Sequence, residues 1–312
     1  MLEQSDQPVE VKPDAPQAVA VVGEIPFAGR AVARALLNAG TRVRVLCPDD
    51  AALAAVASLE QQDKIEVVRG DLGSAEAITR TLTGAAGVCF VSPINLSGRM
   101  YRSHEHLEDV RRVMHAAETL LLRKVVYHSS VGASPTAHSR ALRDAAAAEE
   151  LIGKSHCEDY RIRSGPLMGS AGSDDHFLSE FSKQAQRGSP FMTILGYGST
   201  LVQPLHTEDF AASIARIFAD RQETLRNGIY EIGGPLTVSV LDLTDRALVS
   251  AQRSKIKFHA PLFVLQLVAK LRGEDFKERV AMLFETLAVE KNEIPRLLGV
   301  GVQLKDAEFL TR

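Results

Sequence analysis

Gly23 and Gly29 stand between a short apolar run and a helix-forming run, and their spacing suits the binding of a dinucleotide phosphate. In the usual turn the first glycine makes the bend, the second lets the pyrophosphate come close, and the third lets the helix pack on the strand. Pro26 occupies the middle position, where it brings a ring and no N–H group. The turn therefore predicts a nucleotide-binding scaffold with altered contacts to the phosphates.

A second group of reactive side chains follows an apolar run later in the chain. His128 stands two residues before Ser130, at the predicted carboxyl end of a strand, where open α/β sheets bind ligands. A histidine with an ordinary pKa suits acid–base catalysis near neutral pH, and a serine hydroxyl can carry a proton. We therefore predict Ser130 and His128 as catalytic residues. The alternative for His128 is a buried structural histidine whose ring N–H donates to a carbonyl.

Short apolar runs that alternate with helical patterns must position these residues. Six such runs lie between residues 18 and 163. The alternation predicts an α/β fold with a Rossmann-type doubly wound parallel sheet and a smaller C-terminal substrate lobe. The predicted domains are a flexible lead-in at 1–17, a dinucleotide-binding Rossmann domain at 18–164, and a region at 165–312 that is mainly the substrate-binding lobe, with some segments returning to the Rossmann domain.

The composition argues against several classes of protein. The 312 residues are 45% hydrophobic and 24% charged, with a net charge of −3, which suits a folded enzyme-like chain and argues against a nucleic-acid or membrane surface. The three cysteines have no metal-binding or disulfide spacing and favour a reducing, cytoplasmic setting. We expect no metal, a small-molecule substrate or ligand, and a monomer or homodimer.

Seven further segments accompany the glycine turn, namely 67–72, 88–93, 126–133, 165–169, 202–209, 230–235 and 294–300. Their order resembles that of the atypical short-chain dehydrogenase/reductases, in particular the NmrA-like proteins and the relatives of the nucleotide-binding accessory subunit of respiratory complex I. The resemblance covers roughly 18–305 and implies NAD(P) as the cofactor. Because such folds carry unrelated functions, the resemblance is more specific for the fold than for the activity.

The resemblance also implies a set of cofactor-binding residues, which are Gly23, Ile25, Phe27, Gly29, Asp71, Leu72 and Ser92. Asp71 and Leu72 match a pair that in relatives lies against the adenine, and the alternative for Asp71 is a turn residue after a strand. NADP-binding relatives usually carry an arginine after the second strand, and NAD-binding proteins an acid. In this chain Asp49 and Asp50 follow that strand and either reach a ribose or cap the next helix.

The positions that carry catalysis in this family are altered. Its members use a Ser or Thr, a Tyr and a Lys, often with an Asn in the preceding helix, and the Lys lowers the pKa of the Tyr. Ser130 matches the first position. Ala141 stands at the Tyr position, Ala145 at the Lys position and His106 at the Asn position. The resemblance therefore implies a degenerate catalytic motif.

Four charged or titratable residues are candidates for the substrate cleft, namely His106, His138, Arg143 and Arg163. His138 and Arg143 flank the helix that lacks the Tyr and the Lys, and the alternative is that they are solvated surface residues. Arg163 lies in a predicted central strand, where an unpaired charge is costly. It either binds an anionic or carbonyl group or forms a local ion pair.

Three functions are consistent with these residues. The first is an NAD(P)-binding oxidoreductase that acts on a small organic molecule without the usual Tyr and Lys. The second is a non-redox enzyme, such as a cyclase, isomerase or dehydratase, and the third is a nucleotide-sensing regulator or assembly protein. The segments 258–269 and 280–288 are predicted as amphipathic helices that line an apolar pocket, form a partner surface or pack in the core.

Overall fold

A computed structural model describes residues 17–92, 103–169 and 177–305 of the chain. Residues 1–16 of the predicted lead-in lie outside this part. The described strands are β1 (Val19–Gly23), β2 (Val43–Cys47), β3 (Ile65–Arg69), β4 (Gly87–Val91), β5 (Lys124–Ser130), β6 (Glu158–Ser164), β7 (Leu167–Met168), β8 (Phe191–Leu195), β9 (Leu201–Val202), β10 (Leu205–His206), β11 (Gly228–Ile232), β12 (Val238–Ser239) and β13 (Ile256–Ala260).

A parallel sheet of seven strands forms the centre of the fold, in the order β11-β6-β5-β4-β1-β2-β3. Val19 of β1 pairs with Val43 of β2 on one side and with Gly87 of β4 on the other. The strand order therefore reverses between β1 and β4, and ligands of open α/β sheets bind at such a point, outside the carboxyl ends of the strands. The predicted Rossmann-type doubly wound fold is confirmed.

Several helices begin at a side chain that satisfies a free N–H group of the first turn. Asp49 accepts from the N–H of Ala52 at 2.8 Å, so the structure favours its interpretation as a helix cap. The described helices are α1 (Arg30–Asn38), α2 (Asp50–Ala57), α3 (Ala75–Leu82), α4 (Ser103–Thr119), α5 (Arg140–Gly153), α6 (Phe177–Gln186), α7 (Thr207–Ala219), α8 (Val240–Ser250), α9 (Leu262–Arg272), α10 (Glu274–Met282) and α11 (Ile294–Leu298).

Both faces of the central sheet are covered, which is why its inner strands are apolar at successive positions. Val19 and Val21 of β1 pack into a core shared with α1, α2, α7 and α11. Ala20 and Val22 point to the other face and pack with α3, α4 and α5. Three elements after residue 165 belong to this part of the fold, since β11 is a strand of the central sheet and α7 and α11 pack in the core beside it. No helix of the described ranges is both long and apolar enough to cross a lipid bilayer.

The remaining C-terminal elements pack as smaller units beside the carboxyl ends of the central strands. Three two-stranded sheets pair β7 with β10, β9 with β12, and β8 with β13. The prediction of one helix over 258–269 is wrong, because Ile256–Ala260 pairs with β8 as a strand and Pro261 precedes the helix Leu262–Arg272. The ring of a proline clashes with the preceding residue when that residue is helical, which explains why no helix runs through Ala260 and Pro261. The helix predicted over 280–288 is also wrong in extent, since α10 ends at Met282.

Candidate functional site

The glycine turn joins β1 to α1 through a short π-helical segment, Ile25–Gly29. Gly23 has a φ of +101°, and a Cβ there would lie 2.1 Å from the carbonyl oxygen of Val91 in β4. A Cβ on Gly29 would lie 2.4 Å from the carbonyl oxygen of Glu24. No other residue type fits at either position without a shift of backbone. The two glycines of the sequence motif are therefore both required by the close approach of the turn to its neighbours.

The side chain of Glu24 binds the N–H groups of this turn. Its Oε1 accepts from the N–H of Phe27 at 3.1 Å, and its Oε2 accepts from the N–H of Ala28 at 2.8 Å. N–H groups at the start of a helix attract anions, and the first helix of a dinucleotide-binding unit uses them for phosphate. A carboxylate of the chain itself thus lies on these donors. Glu24 was not among the predicted site residues, although it directly precedes the π-helical segment, at the cap position where acidic side chains are common.

A cleft opens beside the turn at the carboxyl ends of β1, β4, β5 and β6. The empty space in it, together with the open solvent at its mouth, is about 390 Å³. It brings together four of the predicted site residues, which are Phe27, Ser92, His128 and Ser130. Among the residues that the structure describes, the lining is Glu24, Phe27, Ala28, Ser92, His128, Ser130, Ser164, Gly165, Pro166 and Leu167.

His128 is buried in the wall of the cleft, with 3% of its surface exposed. Its Nε2 lies 3.0 Å from the Oγ of Ser164, and its ring packs on Phe210 at 4.4 Å between centroids. Its Nδ1 has no hydrogen-bond partner within the described residues. Burial, which is the largest effect, and the charge of His106 together lower the pKa of His128 to about 3. The backbone of Ser92 acts in the opposite direction. The ring is therefore neutral at pH 7. It can form hydrogen bonds, but it does not act as a charged imidazolium acid.

Ser130 and Ser164 end two neighbouring strands of the sheet and pair in register. Both line the cleft, and the Oγ of Ser130 donates to the carbonyl of Val131 at 3.1 Å. A hydroxyl can both donate and accept, so the pair can pass a proton between a bound molecule and water. The sequence analysis did not name Ser164 as a site residue, because its partnership with His128 depends on the register of two strands.

His106 lies on the opposite face of the sheet from His128. Its Nε2 is 2.8 Å from the Oη of Tyr127, and its ring packs edge-on against Phe90. Successive residues of a strand point to opposite faces, so Tyr127 and His128 face different layers. Burial lowers the pKa of His106 to about 4 and raises that of Tyr127. His106 is not among the residues that line the cleft.

Small side chains occupy Ala141 and Ala145, the positions at which the resemblance implied a Tyr and a Lys. Ala141 is 2% exposed and Ala145 is fully buried, and Ala145 packs with Ala133 and Ala146. The N–H of Ala141 donates to Oε1 of Glu278 at 2.9 Å, which ties α10 to the start of α5. The methyl groups of Ala141 and Ala145 therefore offer packing surface and cannot themselves transfer a proton.

His138 and Arg143 stabilise the turn that precedes α5. The Nη1 of Arg143 donates to the carbonyls of Ala137 and His138 at 2.6 and 2.7 Å. The ring of His138 packs against Phe284, with centroids 5.3 Å apart. Neither residue lines the cleft.

Arg163 forms ion pairs on the other face of β6. Its Nε and Nη2 donate to the two oxygens of Glu149 at 2.8 and 2.7 Å, and its Nη1 lies 3.3 Å from Oε1 of Glu231. Ser129 donates to the same Glu149 at 2.5 Å. Of the two interpretations of Arg163, the structure favours the local ion pair.

Asp71 and Leu72 follow β3, at the same edge of the sheet as the turn. Asp71 Oδ1 accepts from the N–H of Gly73 at 2.9 Å, which is the geometry of a turn residue. Leu72 packs partly buried against the core beneath α3 and α4. Their predicted contact with an adenine stays a prediction. Within the described ranges, no cluster of three or more His, Cys, Asp or Glu side chains is arranged to hold a metal ion.

Comparison with known proteins identifies the family. Residues 27–187, just over half of the chain, match the NAD(P)H-binding family. The chain belongs to this family. It is an atypical short-chain dehydrogenase/reductase with an NAD(P)-binding domain, as the motifs indicated.

Two curated relatives match parts of this family member. Over 161 residues the chain is 30% identical to the mitochondrial NADH dehydrogenase [ubiquinone] 1 alpha subcomplex subunit 9 of Arabidopsis thaliana, which is 49% of the chain and 38% of that relative. Over 201 residues it is 27% identical to the ceramide reductase of Caulobacter vibrioides, which is 64% of the chain and 61% of that relative. The matched regions span less than two thirds of either relative.

Solved structures share the fold across most of the chain. The triphenylmethane reductase of Citrobacter sp., complexed with NADP(H), has a TM-score of 0.71 at 16% identity and covers 94% of this chain and 99% of its own. An NADPH-dependent quinone oxidoreductase of Escherichia coli, complexed with NADPH, has a TM-score of 0.69 at 17% identity and covers 90% and 94%. At these identities the likeness establishes the fold and no more.

Proposed function

We propose that this protein is an NAD(P)H-dependent reductase of a small organic molecule that works without the Tyr and Lys of its family. The observation that carries the proposal is the cleft at the reversal point of the sheet. There the glycine turn adjoins the polar side chains of Ser92, His128, Ser130 and Ser164. The name of the ceramide reductase relative supports a reductase, although the match covers only part of that protein.

The turn has the features that a pyrophosphate needs, apart from its present occupant. Gly23 and Gly29 let the turn pack closely on the backbone of Val91 and Glu24, and the N–H groups of Phe27 and Ala28 point to one carboxylate, the kind of anion that a phosphate replaces. The group fits once the side chain of Glu24 turns away. Phe27 and Ala28 would then hold the phosphates, with Asp71 and Leu72 toward the adenine. NAD(P)H bound there supplies a hydride.

Proton supply is the step that the protein must solve differently. His128 is neutral, and its Nε2 fixes the hydroxyl of Ser164 at 3.0 Å. Ser130 stands beside Ser164 at the open end of β5, so its hydroxyl, alone or with water, is our candidate for delivering a proton to the reduced substrate. His128 would hold this pair in place and bind the substrate oxygen through a ring N–H.

A second candidate function is a nucleotide-binding accessory subunit without turnover. The buried Ala141 and Ala145 support it, because an alanine at the implied Tyr or Lys position has no group that can transfer a proton. The match to the NADH dehydrogenase subunit points in the same direction. For either function we propose a cytoplasmic monomer or homodimer that binds a small molecule.

Nucleotide binding and turnover separate these candidates. We expect NADPH or NADH to raise the melting temperature, since a ligand of the native state stabilises it. In a reductase, Ser130→Ala and His128→Ala should lower kcat at least tenfold for a carbonyl or quinone substrate panel and leave the nucleotide Kd nearly unchanged. Asp242→Ala, at the start of α8, is a control remote from the cleft. Binding without oxidation of NAD(P)H by any acceptor would favour the accessory subunit, and no stabilisation by either nucleotide would refute the reductase.

A further inference from the structure

Glu24 is bound to the turn through both its backbone and its side chain. Its N–H donates to the carbonyl of Val91 at 2.9 Å, and its carbonyl accepts from the N–H of Gly29 at 2.9 Å. These bonds hold the backbone of Glu24 between β4 and the start of α1. The side chain, by contrast, is half-buried at the edge of the cleft. Removal of the carboxylate from the turn therefore requires movement of the side chain and leaves these backbone bonds in place.

The carboxylate and a phosphate compete for the same donors. The N–H groups of Phe27 and Ala28 each have one hydrogen to donate, and both now donate to Glu24 at 3.1 and 2.8 Å. Pro26 has no N–H that could serve as a third donor. A phosphate that binds these groups must therefore displace the carboxylate, whose negative charge would also repel it.

The adjoining cleft provides independent evidence that this region receives a ligand. His128 lines it with 3% of its surface exposed, and its Nδ1 makes no hydrogen bond within the described residues. Buried polar atoms are generally paired, and one without a partner beside a cleft marks a position where a bound molecule or water can supply the bond. Glu24 lines the same cleft.

We propose that Glu24 is an internal ligand of the pyrophosphate site that the nucleotide must displace, so that this residue sets the affinity for NAD(P)H. The proposal rests on the proposed nucleotide-binding function and adds its regulation. It assigns Glu24 the opposite effect to an ordinary binding residue, because removal of its side chain strengthens binding. In such a turn a phosphate with few other contacts does not displace the carboxylate of Glu24. A ligand displaces it when its other contacts offset the free energy of breaking the two hydrogen bonds of the carboxylate.

The test measures nucleotide affinity by calorimetry on the full-length chain. Glu24→Ala is expected to lower the Kd for NADH or NADPH at least tenfold, which corresponds to about 1.4 kcal/mol. Glu24→Gln keeps the size of the side chain and one amide oxygen as acceptor, so its Kd should lie between those of the wild type and Glu24→Ala. Asp242→Ala removes another carboxylate that accepts a helix-start N–H, from Ser239 of the distant α8, and should leave the Kd unchanged. Equal or weaker binding by both Glu24 variants would overturn the proposal.

A second probe separates this proposal from the nucleotide assignment itself. Inorganic pyrophosphate carries the anion without nicotinamide or adenine, and protein labelled with ¹⁵N-phenylalanine and ¹⁵N-alanine reports on the amides of Phe27 and Ala28. We expect pyrophosphate to shift these amide signals at a lower concentration in Glu24→Ala than in the wild type. If this occurs while neither protein binds NADH or NADPH, the function fails and the role of Glu24 stands. If pyrophosphate shifts neither amide in the variant, the role of Glu24 is refuted.

Discussion

The buried ion pair of Glu149 and Arg163 joins α5 to β6, and we predict that Glu149→Ala destabilises the protein substantially. The carboxylate accepts two bonds from the guanidinium, at 2.8 and 2.7 Å, and one from the hydroxyl of Ser129 at 2.5 Å. Only 4% of the Glu149 side chain is exposed. Removal of the carboxylate leaves a guanidinium and a hydroxyl without their main acceptor.

The size of the effect follows from what remains around Arg163. Loss of one partner of a buried pair costs about 3–5 kcal/mol, because it leaves an uncompensated charge. Here 21% of the Arg163 side chain is exposed and Glu231 stays 3.3 Å away, which lowers the cost. The lost acceptor of Ser129 adds about 1 kcal/mol. We expect the free energy of unfolding to fall by about 2–4 kcal/mol.

Urea unfolding followed by circular dichroism measures this loss in a chain that has no tryptophan. Glu108→Ala is the matched control, since Glu108 pairs with Arg111 at 2.7 Å on the exposed surface and should cost less than about 1 kcal/mol. The double variant Glu149→Ala/Arg163→Leu should be more stable than Glu149→Ala, because it leaves no unpaired charge. A loss of unfolding free energy below about 1 kcal/mol in Glu149→Ala would refute the reasoning. So would a double variant whose loss equals the sum of the losses in Glu149→Ala and Arg163→Leu.

Two further predictions concern pH and the contact between α5 and α10. Burial lowers the pKa of His106 to about 4 and that of His128 to about 3 from 6.5, so the unfolded state binds protons first, and stability falls as the pH drops below 6.5. Each histidine contributes up to about 1.4 kcal/mol per pH unit to the dependence of the unfolding free energy on pH. His106→Gln should therefore reduce the slope of the unfolding free energy against pH, measured by urea unfolding between pH 6.5 and 4. An unchanged slope would contradict this prediction. Glu278→Ala removes the acceptor of the Ala141 N–H and should cost about 1–2 kcal/mol by the same measurement, whereas wild-type stability would exclude a role for this cap.

The glycine turn shows how far local sequence can predict a site. Gly23 and Gly29 were recognisable because their roles depend on backbone that a side chain would obstruct, and both are required in the structure. The capping bonds of Glu24 to Phe27 and Ala28 also span only three and four residues, so they too were open to sequence reasoning. What the sequence did not reveal is that this capping carboxylate faces the same cleft as His128.

The C-terminal part was harder to predict, for an identifiable reason. The apolar run over 258–269 fits a helix by periodicity, yet Ile256–Ala260 pairs with β8, which lies some 60 residues earlier in the chain. A short apolar run suits either a strand or a helix, and the presence of a partner strand decides between them. Pro261 was the local signal that marked the boundary.

The sequence by itself determined the doubly wound sheet and the glycine turn of the nucleotide-binding domain, because each depends on residue type and on spacing along the chain. Only the tertiary structure decided the partners of the charged and polar side chains. His128 meets Ser164 across 36 residues, and Arg163 meets Glu231 across 68. Strand register and helix packing bring such pairs together, and the low polarity of the interior makes each such hydrogen bond or ion pair favourable relative to an unpaired buried group.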